Sequence, residues 1–135
     1  MNILLIDDDR SAMEPFLDLL QQIGGHVVTK KDTYSEALSE FEQAAKKGAW
    51  PYDLLILDIQ IKAVHGELLT ERETLTAGLM LYDRFRSMFT HHRVLILTNV
   101  LHRVPEHLHE GPFTKTLDKV EVAGRRLLSE IQHWD

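Results

Sequence analysis

Residues 2–9 read NILLIDDD: four apolar residues, Ile3 to Ile6, run into three adjacent carboxylates, Asp7, Asp8 and Asp9. An apolar run without polar alternation marks a strand covered on both faces, as in a parallel sheet between two helical layers. Three acids inside such a strand would repel one another and be costly to bury. At the strand's rim they are tolerable, and there they can serve as ligands. The question is what else the fold brings to that rim.

Further along, apolar runs alternate with helix-like segments. HVVTK (26–30), DLLILDI (53–59) and RVLILT (93–98) read as strands, and PFTK (112–115) as a weak fifth. Between them lie amphipathic stretches. SAMEPFLDLLQQIGG (11–25) has Ser11 and Glu14 spaced as a capping box, Phe16, Leu19, Leu20 and Ile23 on one side, and a Gly24-Gly25 stop. TYSEALSEFEQAAKKG (33–48) repeats the scheme with Thr33, Glu36 and Gly48. Residues 77–89 predict a third helix, VPEHLHE (104–110) a short one, and 117–131 the last. Residues 60–76 show weak periodicity. Strict alternation of strand and helix predicts an α/β fold, a doubly wound five-stranded parallel sheet in the flavodoxin-like order 2-1-3-4-5 with helices on both faces.

Composition agrees with one soluble domain spanning 1–135. The chain has 135 residues, 44% of them apolar and 27% charged, enough for a single core. A net charge of −6 argues against a nucleic-acid surface. The absence of cysteine excludes disulfides and thiolate metal sites. No apolar stretch reaches the ~20 residues of a membrane span, and no secretory leader is visible, so a cytoplasmic location is expected.

In a sheet of this order, ligands sit beyond the carboxyl ends of the strands where the order reverses, between the first and third. Those ends carry Asp7-Asp8 and Asp58. Carboxylates converging from two strands favour a hard divalent cation such as Mg²⁺, which keeps several waters and bridges to phosphate. The fourth strand ends in Thr98, a hydroxyl donor, and the fifth in Lys115, a mobile cation.

LLIDDD, LLILDI, VLILT and FTKTL, in that order and each at a strand end, resemble the response-regulator receiver domain of two-component signalling. The resemblance covers nearly the whole chain. It implies that Asp58 accepts a phosphoryl group from a histidine kinase or a histidine phosphotransfer protein. It further implies that Asp8, with Asp7 behind it, holds Mg²⁺ together with Asp58 and the backbone carbonyl of Gln60. Thr98, Asn99 and Lys115 would receive the phosphoryl oxygens. The face of the fourth helix, fifth strand and fifth helix would carry the signal to a downstream protein and serve for any homodimer. On this reading the chain is no enzyme but a phosphoacceptor that assists its own phosphorylation and dephosphorylation.

The sequence departs from the family pattern in several places. Residues 60–76 form an insertion before the third helix. The span from Thr98 to Lys115 is short. Thr116, rather than proline, follows the lysine. Asn99 stands where the family has a very small residue. These departures keep a second reading open, a non-phosphorylated pseudo-receiver that acts as a binding module. A third reading is a small haloacid dehalogenase-type phosphatase, with Asp7 as nucleophile and Asp9 as acid/base; it leaves Asp58 without a role.

Overall fold

The computed structural model describes residues 1–7, 14–15, 17–61, 63–64, 67–68, 70–119 and 125–133. Five parallel strands form the sheet: β1 (Asn2–Ile6), β2 (Val27–Lys31), β3 (Leu54–Asp58), β6 (Val94–Thr98) and β7 (Thr114–Asp118). Their order is β2-β1-β3-β6-β7, the order 2-1-3-4-5 expected from the alternation of elements. The two remaining strands, β4 (Ala63–Val64) and β5 (Glu67–Leu68), pair antiparallel as a small separate hairpin.

Strand parity divides the core in two, because successive side chains leave a strand on opposite faces. Leu4, Ile6, Leu55, Leu57, Val94 and Ile96 pack with α2 (Tyr34–Lys47) and α3 (Glu71–Met88), centred on the fully buried Phe41 and Phe85. Ile3, Leu5, Leu54, Ile56, Leu95 and Leu97 pack on the other face against α1 (Leu19–Ile23) and α4 (Arg125–Gln132) through Leu20, Leu127 and Ile131. The three central strands are therefore apolar on both faces between their ends, as their sequence implied.

Helix ends follow local chemistry. The Thr33 hydroxyl accepts the Glu36 N–H at the start of α2, and Gly48 closes it at φ 72°, a left-handed position that favours glycine. α1 is a π-helical turn, and Glu14, Pro15, Leu17 and Asp18 ahead of it are also helical. Ser11 and Phe16, its expected cap and one of its core residues, lie outside the described residues.

Four expectations need correction. α3 starts at Glu71, not at 77, under a complete Thr70/Glu73 capping box, so the 60–76 stretch holds the β4–β5 hairpin and the first turns of a helix. The fifth strand is Thr114–Asp118, not 112–115, and 117–118 therefore do not begin the last helix. Its threonines look polar in sequence, yet both are buried with their hydroxyls engaged. Thr116 Oγ1 donates to the Leu108 carbonyl at 2.8 Å, and Thr114 Oγ1 lies 2.7 Å from the Tyr82 hydroxyl. Among the described residues no α-helix joins β6 to β7. Two 3₁₀ turns, Leu101–Arg103 and Glu106–Leu108, stand on either side of Pro105, whose fixed φ and missing N–H oppose a continuous helix.

Gly78 fixes how α3 approaches the sheet. A Cβ there would fall 1.6 Å from the Ile59 carbonyl oxygen, so α3 can cross the end of β3 at this distance only because residue 78 has no side chain.

Candidate functional site

Parallel pairing brings the acidic strand ends together. β1 and β3 are neighbours with Ile6 opposite Leu57, so the next residue on each strand, Asp7 and Asp58, emerges side by side. Both are buried, Asp7 at 2% exposure and Asp58 at 5%. β6 follows with Leu97 opposite Asp58, then β7 with Asp118 opposite Thr98.

The residue after β7 completes the site. Lys119 anchors its own backbone by donating its N–H to the Thr98 carbonyl at 2.8 Å. Its side chain reaches back across β6. The Lys119 ammonium then donates to Asp7 Oδ2 and to Asp58 Oδ2, both at 2.8 Å. Lys119, not Lys115, is thus the cation at the acidic rim. Lys115 sits opposite Leu95 near the start of β7, four residues earlier. At ~3.3 Å per strand residue that is roughly 13 Å farther from the rim. The apparent shortness of the span after Thr98 disappears with this correction, and the residue following the site lysine is Val120 in the sequence. A strand with buried threonines hid the true carboxyl end; the alternating TKTLD pattern followed by a lysine was the signal that could have located it.

Electrostatics follow from burial. The Asp58 carboxyl is pushed up to about 6, first by desolvation and then by the Asp7 charge, against the pull of Lys119 and of the Gln60 N–H. Burial disfavours the Lys119 ammonium, but the two carboxylates outweigh it and its pKa is raised. One ammonium facing two carboxylates leaves these three groups with an excess negative charge.

That imbalance and the all-oxygen donors fit a hard dication that retains waters. Among the described residues no group of three or more His, Cys, Asp or Glu side chains is gathered as a metal cluster. Asp7 and Asp58 are the described carboxylates that the Lys119 ammonium joins. Asp8, expected as a ligand, and Asp9 lie outside the described residues.

Thr98 ends β6 fully buried, its hydroxyl accepting the Val100 N–H at 3.0 Å. Gln60 donates its N–H to Asp58 Oδ1 at 3.0 Å, and its carboxamide oxygen accepts the N–H of the exposed Asn99 at 3.1 Å. The structure thus gathers Asp7, Asp58, Gln60, Thr98 and Asn99 at one end of the sheet and substitutes Lys119 for Lys115. Among the described residues the histidines of the 102–109 loop gather no metal cluster; the His109 Nε2 contacts the Val104 carbonyl at 2.9 Å.

No family model matches the chain, and no curated protein matches it. Solved structures do. A Thermotoga maritima response regulator, TrrA, in complex with Mg²⁺-BeF is 25% identical over 75% of this chain and 71% of its own, with a TM-score of 0.54. A receiver domain from Clostridium thermocellum aligns over 97% of this chain and 90% of its own at 21% identity, with a TM-score of 0.68. A complex of histidine kinase ThkA with TrrA aligns over 97% and 95% at 22% identity, with a TM-score of 0.65. Agreement running almost end to end identifies the fold of this chain as that of the response-regulator receiver domains.

Proposed function

We propose that the chain is a phosphoacceptor receiver of two-component signalling, with Asp58 as the acceptor and a histidine kinase or histidine phosphotransfer protein as donor. The observation that carries this reading is the junction of Asp58 with Asp7 and Lys119 at the carboxyl end of the sheet. In the transfer, an Asp58 carboxylate oxygen forms a bond to phosphorus as the P–N bond to the donor imidazole breaks. The imidazole keeps the bonding electron pair and takes up a proton, and Asp58 becomes an acyl phosphate. Phosphoryl transfer of this kind depends mainly on positioning and charge neutralisation. Asp58, at about 6, is mostly ionised at neutral pH and so available as the nucleophile. Lys119 is placed to pair with a phosphoryl oxygen.

Asp7, Asp8 and Asp58, with the Gln60 backbone carbonyl, would hold Mg²⁺. When bound, the ion supplies charge neutralisation for the incoming phosphoryl oxygens. Solved structures of TrrA with Mg²⁺-BeF and of histidine kinase ThkA with TrrA, alike in fold, support the magnesium and the kinase in this reading. No described helix is long and apolar enough to cross a membrane, which accords with a cytoplasmic partner protein. The phosphatase alternative would leave the buried Asp58–Lys119 pair idle.

The test is direct. With Mg²⁺ and acetyl phosphate, the intact mass rises by one phosphate, and Asp58→Asn abolishes the gain. Lys119→Ala slows it, whereas Lys115→Ala leaves it near wild type. A folded wild-type chain that never gains the mass overturns the phosphoacceptor assignment and makes the domain a binding module.

A further inference from the structure

Gln60 holds the ends of β3 and β6 together through two different groups. Its N–H donates to Asp58 Oδ1, and its side-chain oxygen takes the Asn99 N–H, the first amide beyond β6. β3 and β6 are adjacent strands, with Asp58 opposite Leu97, so this amide stands at the same rim as the acceptor carboxylate. A neutral carboxamide oxygen therefore occupies a donor at the same rim where new charge would appear on Asp58.

We propose that the Gln60 side chain is a latch on the Asn99 N–H, filling the place of a phosphoryl oxygen and releasing when Asp58 is phosphorylated. The inference rests on the phosphoacceptor reading. Its energetic basis is the difference between neutral and charged acceptors. Hydrogen bonds to anionic oxygens are roughly twice as strong as neutral ones, so a phosphoryl oxygen displaces the carboxamide. Gln60 is half-buried and Asn99 exposed, which gives the displaced side chain solvent to enter. The Gln60 N–H remains on Asp58 throughout, so the movement is a side-chain swing about a fixed backbone. Gln60 is on this account a positioning residue. Part of the barrier to phosphorylation is the loss of its contact with Asn99.

Opposite substitutions separate a latch from a merely structural residue. Wild type, Gln60→Ala and Gln60→Glu are incubated with acetyl phosphate and Mg²⁺, and phosphate gain is followed by intact mass. In each reaction an Asp58 oxygen bonds to phosphorus as the P–O bond breaks and acetate leaves. Gln60→Ala is expected to label about two- to tenfold faster, the range that one neutral hydrogen bond spans. Gln60→Glu is expected to label more slowly than wild type, because its carboxylate keeps the Asn99 contact and adds negative charge beside Asp58. Amide hydrogen exchange at Asn99, read by NMR without any phosphodonor, is expected to quicken in Gln60→Ala. Equal labelling rates for wild type and Gln60→Ala, or unchanged Asn99 exchange, overturn the latch and leave the phosphoacceptor reading standing. No labelling of any of the three, with circular dichroism showing intact folds, overturns the phosphoacceptor reading and the latch with it.

Discussion

Lys119 holds two buried carboxylates with one charge, and its removal has consequences that its neighbours' pKa values set. Lys119→Met leaves Asp7 and Asp58 facing each other without compensation. Breaking a buried ion pair from one side typically costs about 3–5 kcal/mol. The expected loss, read by urea unfolding at pH 8, shrinks when Asp58→Asn is added or when the pH is lowered to 5. The Asp58 shift carries its own sign. Its folded value of about 6 lies above the ordinary 3.8, so between those values the folded chain binds a proton that the unfolded chain has released. Stability from this group is full below pH 4 and falls as pH rises to 6, by about 3 kcal/mol for a shift of this size. Lys119, raised above its ordinary 10.5, stays charged through that window. Asp58→Asn should therefore flatten the stability profile between pH 4 and 6 and raise stability at pH 7. A steeper profile in the variant would contradict the assignment of the shift to Asp58.

At the scale of elements, the decisive contact is between α3 and the end of β3. Gly78→Ala places a methyl carbon against the Ile59 carbonyl, and the helix must retreat or tilt. Overpacking of a fixed backbone costs about 1–3 kcal/mol, and here the obstacle is main chain rather than a yielding side chain. The expected outcome is a stability loss at the upper end of that range, together with slower phosphate gain, because Ile59 lies between Asp58 and Gln60. The same scale shows where sequence reading succeeded and failed. NILLI, LLILD and VLILT were legible as strands because both their faces are apolar. TKTLD was cut short because Thr114 and Thr116 satisfy their hydroxyls through Tyr82, Arg86 and Leu108, partners that only the tertiary fold supplies. The start of α3 was not legible, although Thr70 and Glu73 spell a capping box, because residues 60–76 show only weak periodicity.

For the whole molecule, the sheet order was legible from the alternation of elements, and the end of the sheet that carries the site from the strand ends. The identity of the lysine was not, since it depended on where β7 stops. The site's charge imbalance makes a prediction for the entire fold. A dication bound only by the folded chain raises stability by mass action, by about 2.7 kcal/mol at a hundred times its dissociation constant. Mg²⁺ should therefore raise the thermal midpoint at pH 8. The rise should be smaller at pH 5, where a proton on Asp58 competes, and absent in a chain carrying both Asp7→Asn and Asp58→Asn. Calorimetry with and without a chelator checks this.

The close crossing at Gly78 also separates two regions that are adjacent in sequence. Downstream of residue 70 the helix is registered by its bare contact with Ile59, and upstream of residue 61 β3 is registered by its sheet partners. Lengthening the β4–β5 hairpin between them, where Leu68 is 87% exposed, is expected to leave both registers unchanged. A reporter peptide or an extra binding loop grafted there is expected to leave the Asp7–Asp58–Lys119 geometry as it is.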